Sequence, residues 1–260
     1  MAELSLVADG IQSQAGAMKT TGNTIFLTGG TSGIGLELAR RFRDLGNTVI
    51  ISGRRRDLLD KIAAEDHIDG IELDVADPAS IATAYETVTT KYPDLNVLIT
   101  MAGIMQPENL NDHDLATAEE TVTINLLGTI RTITAFTPHL LQRQDGVIMT
   151  VSSGLAFVPL VTTPTYSATK AAVHSYTQSL RHQLDLQVIE LVPPAVQTTL
   201  LNQENDPHAM PLAEYADETI QLLHDNPDAE EILVTRVHFL RDAEKENRYE
   251  QVIGVLNSVA

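Results

Sequence analysis

Tyr166 and Lys170 stand four residues apart, a spacing that puts a phenol and an amine on one face of a helix. Such a pair could move a proton at a carbonyl oxygen. Reduction of a carbonyl needs a donor beside the oxygen as hydride reaches the carbon, and a free tyrosine, with a pKa of about 10, is poorly matched to neutral pH. A neighbouring ammonium would favour the phenolate. Bringing the phenol from about 10 to about 7 corresponds to about 4 kcal/mol of differential electrostatics, attainable in a desolvated cleft. Ser153, thirteen residues before Tyr166, could donate a hydrogen bond to the same oxygen and stabilise the charge that develops there. A tyrosine–lysine pair alone is unspecific, so its meaning depends on the residues around it.

The run Thr28-Gly29-Gly30-Thr31-Ser32-Gly33-Ile34-Gly35 follows a strand pattern and leads directly into a helix pattern. Gly29 would permit the tight turn, Gly33 would let the main chain approach a pyrophosphate, and Gly35 would let helix and strand pack closely. The helix N-terminus offers free N–H groups and partial positive charge to that anion, so Thr31, Ser32 and Ile34 join the glycines as expected cofactor contacts. No Gly-Lys-Ser/Thr closes the run, which excludes a Walker-type loop. At the end of the second strand, where a carboxylate selects NAD, stands Gly53, followed by Arg54, Arg55 and Arg56. This position lacks the charge that would repel a 2′-phosphate, and it gains cations that could hold one. NADP(H) is therefore expected over NAD(H), with Arg54 and Arg55 at the site. The alternative, that Arg55 and Arg56 merely open a solvated helix, is compatible with Arg54 still binding.

These residues, with Asp74-Val75, Ala102-Gly103, Asn125, Ser152-Ser153 and Tyr166-Ser167-Ala168-Thr169-Lys170, resemble the short-chain dehydrogenase/reductase family from Thr24 to the C-terminus. Pro193-Pro194-Ala195-Val196 and Ile232-Leu233-Val234 resemble its DltE-like subgroup, a name associated with teichoic-acid D-alanylation. The resemblance implies that Lys170 also holds the nicotinamide ribose and that Asn125 anchors a water relaying protons toward the lysine. It implies an adenine contact from Asp74, with Val75 against the ring and Ala102 and Gly103 leaving space for the ribose. Pro193, Val196 and Thr198 are expected cofactor contacts too. Asp74 could equally be a turn cap, and Asn125 a helix-surface amide. Where the family usually has two asparagines before the Ala-Gly pair, this chain has Thr100-Met101, which removes two side-chain amides.

Other chemistries fit less well. Val151-Ser152-Ser153-Gly154 lacks the leading glycine of a hydrolase nucleophile elbow. The eight histidines form no His-Glu-x-x-His pattern, so no metal is expected, and His113 and His174 read as surface or packing residues. The rival of another class is an NADP-binding sensor or scaffold with little turnover, for which Thr100-Met101 speaks.

Positioning these groups requires an α/β chain. Strand patterns at Thr24–Thr28, Thr48–Ser52, Gly70–Leu73, Val97–Met101, Val147–Val151, Gln187–Val192 and Ile232–Val234 alternate with helical ones. Helices are expected at Ile34–Leu45, from the Asp77-Pro78 start to about Lys91, and at Ala116–Gln142, Thr165–Leu184, Leu212–His224 and Asp242–Leu256. The pattern predicts a Rossmann-type, doubly wound parallel sheet of about seven strands with helices on both faces, in three layers. Pro193–Pro211, leaving a strand's carboxyl end, would border the crevice as a lid. Residues 23–260 are expected to form one domain behind a loosely ordered leader, residues 1–22, with Met18 as an alternative start.

A formal charge of −18 would repel nucleic acid and anionic lipid, and no apolar run is long enough to span a membrane. No cysteine is present, so disulfides and thiolate chemistry are excluded and the redox compartment stays unmarked; a cytoplasmic location is the simplest expectation. Leu155–Val161 and Gln197–Met210 should line a pocket for a fairly hydrophobic ketone, aldehyde or secondary alcohol. The resemblance also implies a homodimer or homotetramer formed through the helices at Ala116–Gln142 and Thr165–Leu184.

Overall fold

The computed structural model describes residues 17–112 and 115–258. Seven short runs rich in valine, isoleucine and threonine form one sheet: β1 Thr24–Thr28, β2 Thr48–Gly53, β3 Asp69–Glu72, β4 Val97–Thr100, β5 Val147–Val151, β6 Gln187–Leu191 and β7 Glu231–Ile232. All pairings are parallel, in the order β3-β2-β1-β4-β5-β6-β7. A parallel neighbour is reached only by crossing over the sheet, so the connecting helices cover both faces and the central strands are apolar on both sides.

Alternate side chains feed two separate cores. Ile25, Leu27, Ile99 and Met149 pack with α1 (Gly33–Asp44), α2 (Arg56–Asp66) and α7 (Leu212–Asp225), through Leu38, Phe42, Ile62 and Tyr215. Phe26, Leu98, Ile148 and Val188 face α3 (Pro78–Lys91), α5 (Thr129–Leu140) and α6 (Pro164–Gln183), through Val88, Phe136 and Leu180. The chain thus has the three-layer doubly wound fold that its sequence predicts. The order reverses between β1 and β4, which opens a crevice at the carboxyl ends of those strands.

The differences from expectation have local causes. The long helix expected at Ala116–Gln142 is α4 (Ala116–Thr121), a π-helical stretch Val122–Gly128, and α5; Asn125 lies inside the wide turn. Instead of one helix from Asp242 there are α8 (His238–Arg241) and α9 (Tyr249–Ser258), with Asn247 between them in the left-handed region at φ 55°. β7 is two residues long and stops before Leu233-Val234, which turn into a 3-10 segment at Thr235–Val237. Most of the expected leader lies outside the described residues, but its last part is packed. Met18 is 4% exposed in the core, its N–H donates to Gln187, and the Thr20 carbonyl accepts from Asn47.

Candidate active site

The turn after β1 sits at the head of the crevice. Gly29 has φ +71°, and a Cβ there would stand 2.7 Å from Ala102 Cα, so both the backbone and the neighbouring turn require glycine. At Gly35 an added Cβ would stand 2.4 Å from the Gly29 carbonyl oxygen, which is why α1 can start hard against the strand. The Ser32 side chain does not cap α1, and the helix start faces a cleft of about 600 Å³. Thr31, Ser32, Gly33 and Ile34 line that cleft. Ser52 Oγ and Ser152 Oγ are buried without a partner among the described residues, and both residues line the same cleft. Open amides, glycines with no room for a side chain and two orphaned hydroxyls suit a dinucleotide that brings phosphate and ribose oxygens.

At the far end of the crevice lie Gly53, Arg54, Arg55, Asp74 and Val75. A Cβ at Gly53 would stand 2.6 Å from Thr31 Cγ2, so an acidic side chain could not enter without displacing Thr31. Arg54 and Arg55 are exposed beside the cleft, whereas Arg56 turns away to Asp60 at 3.1 Å. Asp74 closes its own turn: its Oδ1 accepts the Ala76 N–H at 2.9 Å, and its N–H donates to Ser80 Oγ at 3.0 Å.

At the other end, α6 carries Tyr166 and Lys170 on one buried face while the exit of β5 presents Ser153. Ser153 lies beside the Tyr166 hydroxyl, and its Oγ accepts the Leu155 N–H at 3.1 Å. The Lys170 ammonium donates to the Val151 carbonyl at 2.8 Å and lies 5.6 Å from the Tyr166 ring centre. The expected downward shift of Tyr166 is not what this arrangement gives. Burial pushes its phenol up to about 12, against a smaller opposing effect of the neighbouring Ser153 hydroxyl. Burial also pulls Lys170 down to about 8, opposed by the charge of Glu190.

Asn125 stands behind the cleft wall rather than in it. Its Oδ1 accepts the Ile104 N–H and its Nδ2 donates to the Ile104 carbonyl, both at 2.8 Å. The side chain, 1% exposed, thereby pins the segment after Gly103 and is not a helix-surface amide. Ala102 and Gly103 line the crevice, and Pro193, Val196 and Thr198 form its opposite edge.

Several site residues have no signal in the sequence. Thr28 Oγ1 accepts the N–H groups of Met101 and Ala102, each at 3.2 Å, and so holds the turn at which the usual asparagines are absent. Thr100 instead donates to the Met149 carbonyl at 3.3 Å. The apolar end of the cleft contains Leu155, Leu160 and Leu200, as expected, but also Met105, Leu240 and Leu256. Leu256 arrives on α9, whose Asn257 accepts the Val161 N–H at 2.7 Å and donates to the Pro159 carbonyl. The expected lid is closed on itself, with Gln197 N–H donating to the Met210 carbonyl and Met210 N–H to that of Ala195. His174, expected to be a surface or packing residue, packs edge-on against Phe157 and is also a hydrogen-bond partner of the fully buried Glu190, while His113 lies outside the described residues.

Comparison with known proteins agrees with this geometry. Residues 23–209 match the family described as short chain dehydrogenase. A relative from Bacillus subtilis (strain 168), the uncharacterized oxidoreductase DltE, is 37% identical over 250 residues, which span 93% of this chain and 99% of that protein. A short chain dehydrogenase from Burkholderia cenocepacia J2315 in complex with NADP has a similar structure, with a TM-score of 0.79 and 23% identity over 92% of this chain and 99% of that one. A 3-ketoacyl-(acyl-carrier-protein) reductase from Brucella melitensis complexed with NADH gives a TM-score of 0.73 and 26% identity, over 81% and 93%.

Proposed function

Because this chain belongs to the short-chain dehydrogenase family and is an oxidoreductase acting on CH–OH groups with a nicotinamide cofactor, we propose that it is an NADP(H)-dependent carbonyl reductase and alcohol dehydrogenase. The observation that carries this reading is the convergence of Ser153, Tyr166 and the buried Lys170 ammonium, one helical turn below the phenol, on one end of the cleft. When bound, the dinucleotide supplies the hydride in reduction and receives it in oxidation. Tyr166, held neutral by burial, donates its hydroxyl proton to the carbonyl oxygen, and Ser153 steadies the charge that collects there. Lys170 favours the phenolate left behind and offers its ammonium to the cofactor ribose. Asn125 supports this end by fixing the Ile104 segment, and a proton relay from Lys170 would pass beside it.

Preference for NADP(H) rests on Gly53, Arg54 and Arg55. A charge-assisted hydrogen bond is worth about 1.5–3 kcal/mol, so Arg54→Ala should weaken NADPH about tenfold or more and NADH by less than about twofold. Titrating both nucleotides by fluorescence checks this; equal losses would mean Arg54 does not read the phosphate. Met105, Leu155, Leu160, Leu200 and Leu256 make the substrate end apolar, which suits a hydrophobic ketone, aldehyde or secondary alcohol. Residues 23–260 act as one domain, assembled as a homodimer or homotetramer in the cytoplasm.

One observation favours a second reading, a weakly catalytic NADP-binding sensor: the Lys170 ammonium is already engaged by the Val151 carbonyl. Incubating the purified protein with NADPH and a panel of apolar aldehydes and ketones separates the two. Nicotinamide oxidation on at least one member is expected; tight binding without oxidation on any would favour the sensor.

A further inference from the structure

Glu190 is a feature of the seam between α6 and the sheet that packing alone does not require. It sits in β6, between Thr150 of β5 and Glu231 of β7, and is 0% exposed. Its side chain falls on the sheet face that carries Ile148 and Val188, where a parallel sheet under a helix ordinarily buries apolar groups. A carboxylate there must be compensated. The compensation comes from cations and a donor on one stripe of α6 at helical spacing: Lys170, His174 and Arg181. His174 Nδ1 lies 3.0 and 2.9 Å from the two oxygens of Glu190, and since a carboxylate only accepts, that nitrogen carries the hydrogen. Thr177 meets Thr150 at 2.7 Å, and Arg181 lies 3.8 Å from Glu190 while also donating to the Val188 carbonyl.

The neighbouring charges are otherwise committed. Glu231 faces the same spot from β7, but Arg241 of α8 takes its two oxygens at 2.8 and 3.0 Å. Arg181 is shared with the exposed Glu230, at 3.7 Å. Lys170, at the head of the stripe, has a backbone carbonyl and no carboxylate as its hydrogen-bond partner. We propose that Glu190, anchored by His174 and Arg181, is a positioning residue whose negative charge keeps the buried Lys170 ammonium protonated beside Tyr166. This rests on the reading of Lys170 and Tyr166 given above. Without such a charge, a desolvated amine would lose its proton near neutral pH and with it the influence on Tyr166.

Glu190→Gln keeps the size and an acceptor oxygen for His174 while removing the charge. The chain has five lysines, so with isotope-labelled lysine the Lys170 side-chain signal can be assigned through Lys170→Arg and titrated by NMR. Its midpoint, about 8 in the parent, should fall by about one pH unit in Glu190→Gln. This readout needs no turnover, so it stands even if the reductase reading fails. With an active carbonyl, the ammonium form is lost as pH rises through its midpoint. The ratio of kcat/KM at about pH 8.5 to that at about pH 6.5 should then drop about sixfold in the variant, and Glu190→Asp should restore most of it. An unchanged Lys170 midpoint, or an equal loss of activity at both pH values, overturns the proposal. Should Glu190→Gln not fold, Glu190→Asp tests the same idea: with the charge kept, a fall of a full unit would be fatal to it.

Discussion

Tyr166→Phe is expected to lower kcat/KM for carbonyl reduction by about three orders of magnitude while leaving NADPH affinity within about twofold. The loss corresponds to about 4 kcal/mol of transition-state stabilisation, the middle of the range for a positioned general acid. The ring itself should stay in place, because it belongs to a buried cluster with Met105 and Leu160 against which Leu155, Leu200 and Leu256 pack. Ser153 Oγ keeps the Leu155 N–H as its partner when the phenol hydroxyl is removed, so stability should change by no more than about 1 kcal/mol. Steady-state kinetics with NADPH, paired with a binding titration of the same preparation, measures both quantities. Near-normal turnover in a protein that still binds NADPH would remove Tyr166 from the mechanism.

Much of the scaffold could be read from the chain because its signals are local. Residues Thr24–Thr28 and Val147–Val151 are short apolar runs bounded by turn residues, and both strands fall where periodicity puts them. Asp77 caps α3 through the Ala79 N–H, with Pro78 in its first turn, as that dipeptide predicts. The glycine turn was legible for the same reason: its geometry depends on residues that lie next to one another. What the sequence hid is non-local. Thr28 supporting the Met101–Ala102 turn joins residues more than seventy positions apart, and Leu256 reaches the substrate end only because α9 folds back over Pro159 and Val161. The direction of the Tyr166 shift depends on how completely the fold buries the phenol and on Lys170 turning to Val151. Spacing four residues apart could place the two groups on one face, but not fix where the ammonium points.

Gly29→Ala should be the most damaging change to the cofactor end of the cleft, and the structure separates its two causes. At φ +71° any side chain pays for the left-handed conformation, roughly 1–2 kcal/mol. The added Cβ would also stand 2.7 Å from Ala102 Cα and 2.9 Å from Ala102 N, backbone atoms that Thr28 already holds, and relieving that overlap should cost about 1–3 kcal/mol more. Gly46 has φ +85° with nothing within 4 Å of its Cβ position, so Gly46→Ala carries the conformational part without the overlap. Thermal unfolding should therefore show Gly46→Ala lower by roughly 2–8 °C and Gly29→Ala by roughly 4–20 °C, at about 2–4 °C per kcal/mol for a domain of this size. NADP stabilises only a chain that can bind it, so the rise in Tm it gives the parent and Gly46→Ala should be nearly absent in Gly29→Ala. If the two variants unfold together and NADP raises both equally, the close approach of the β1 and β4 turns is not what shapes the dinucleotide cradle.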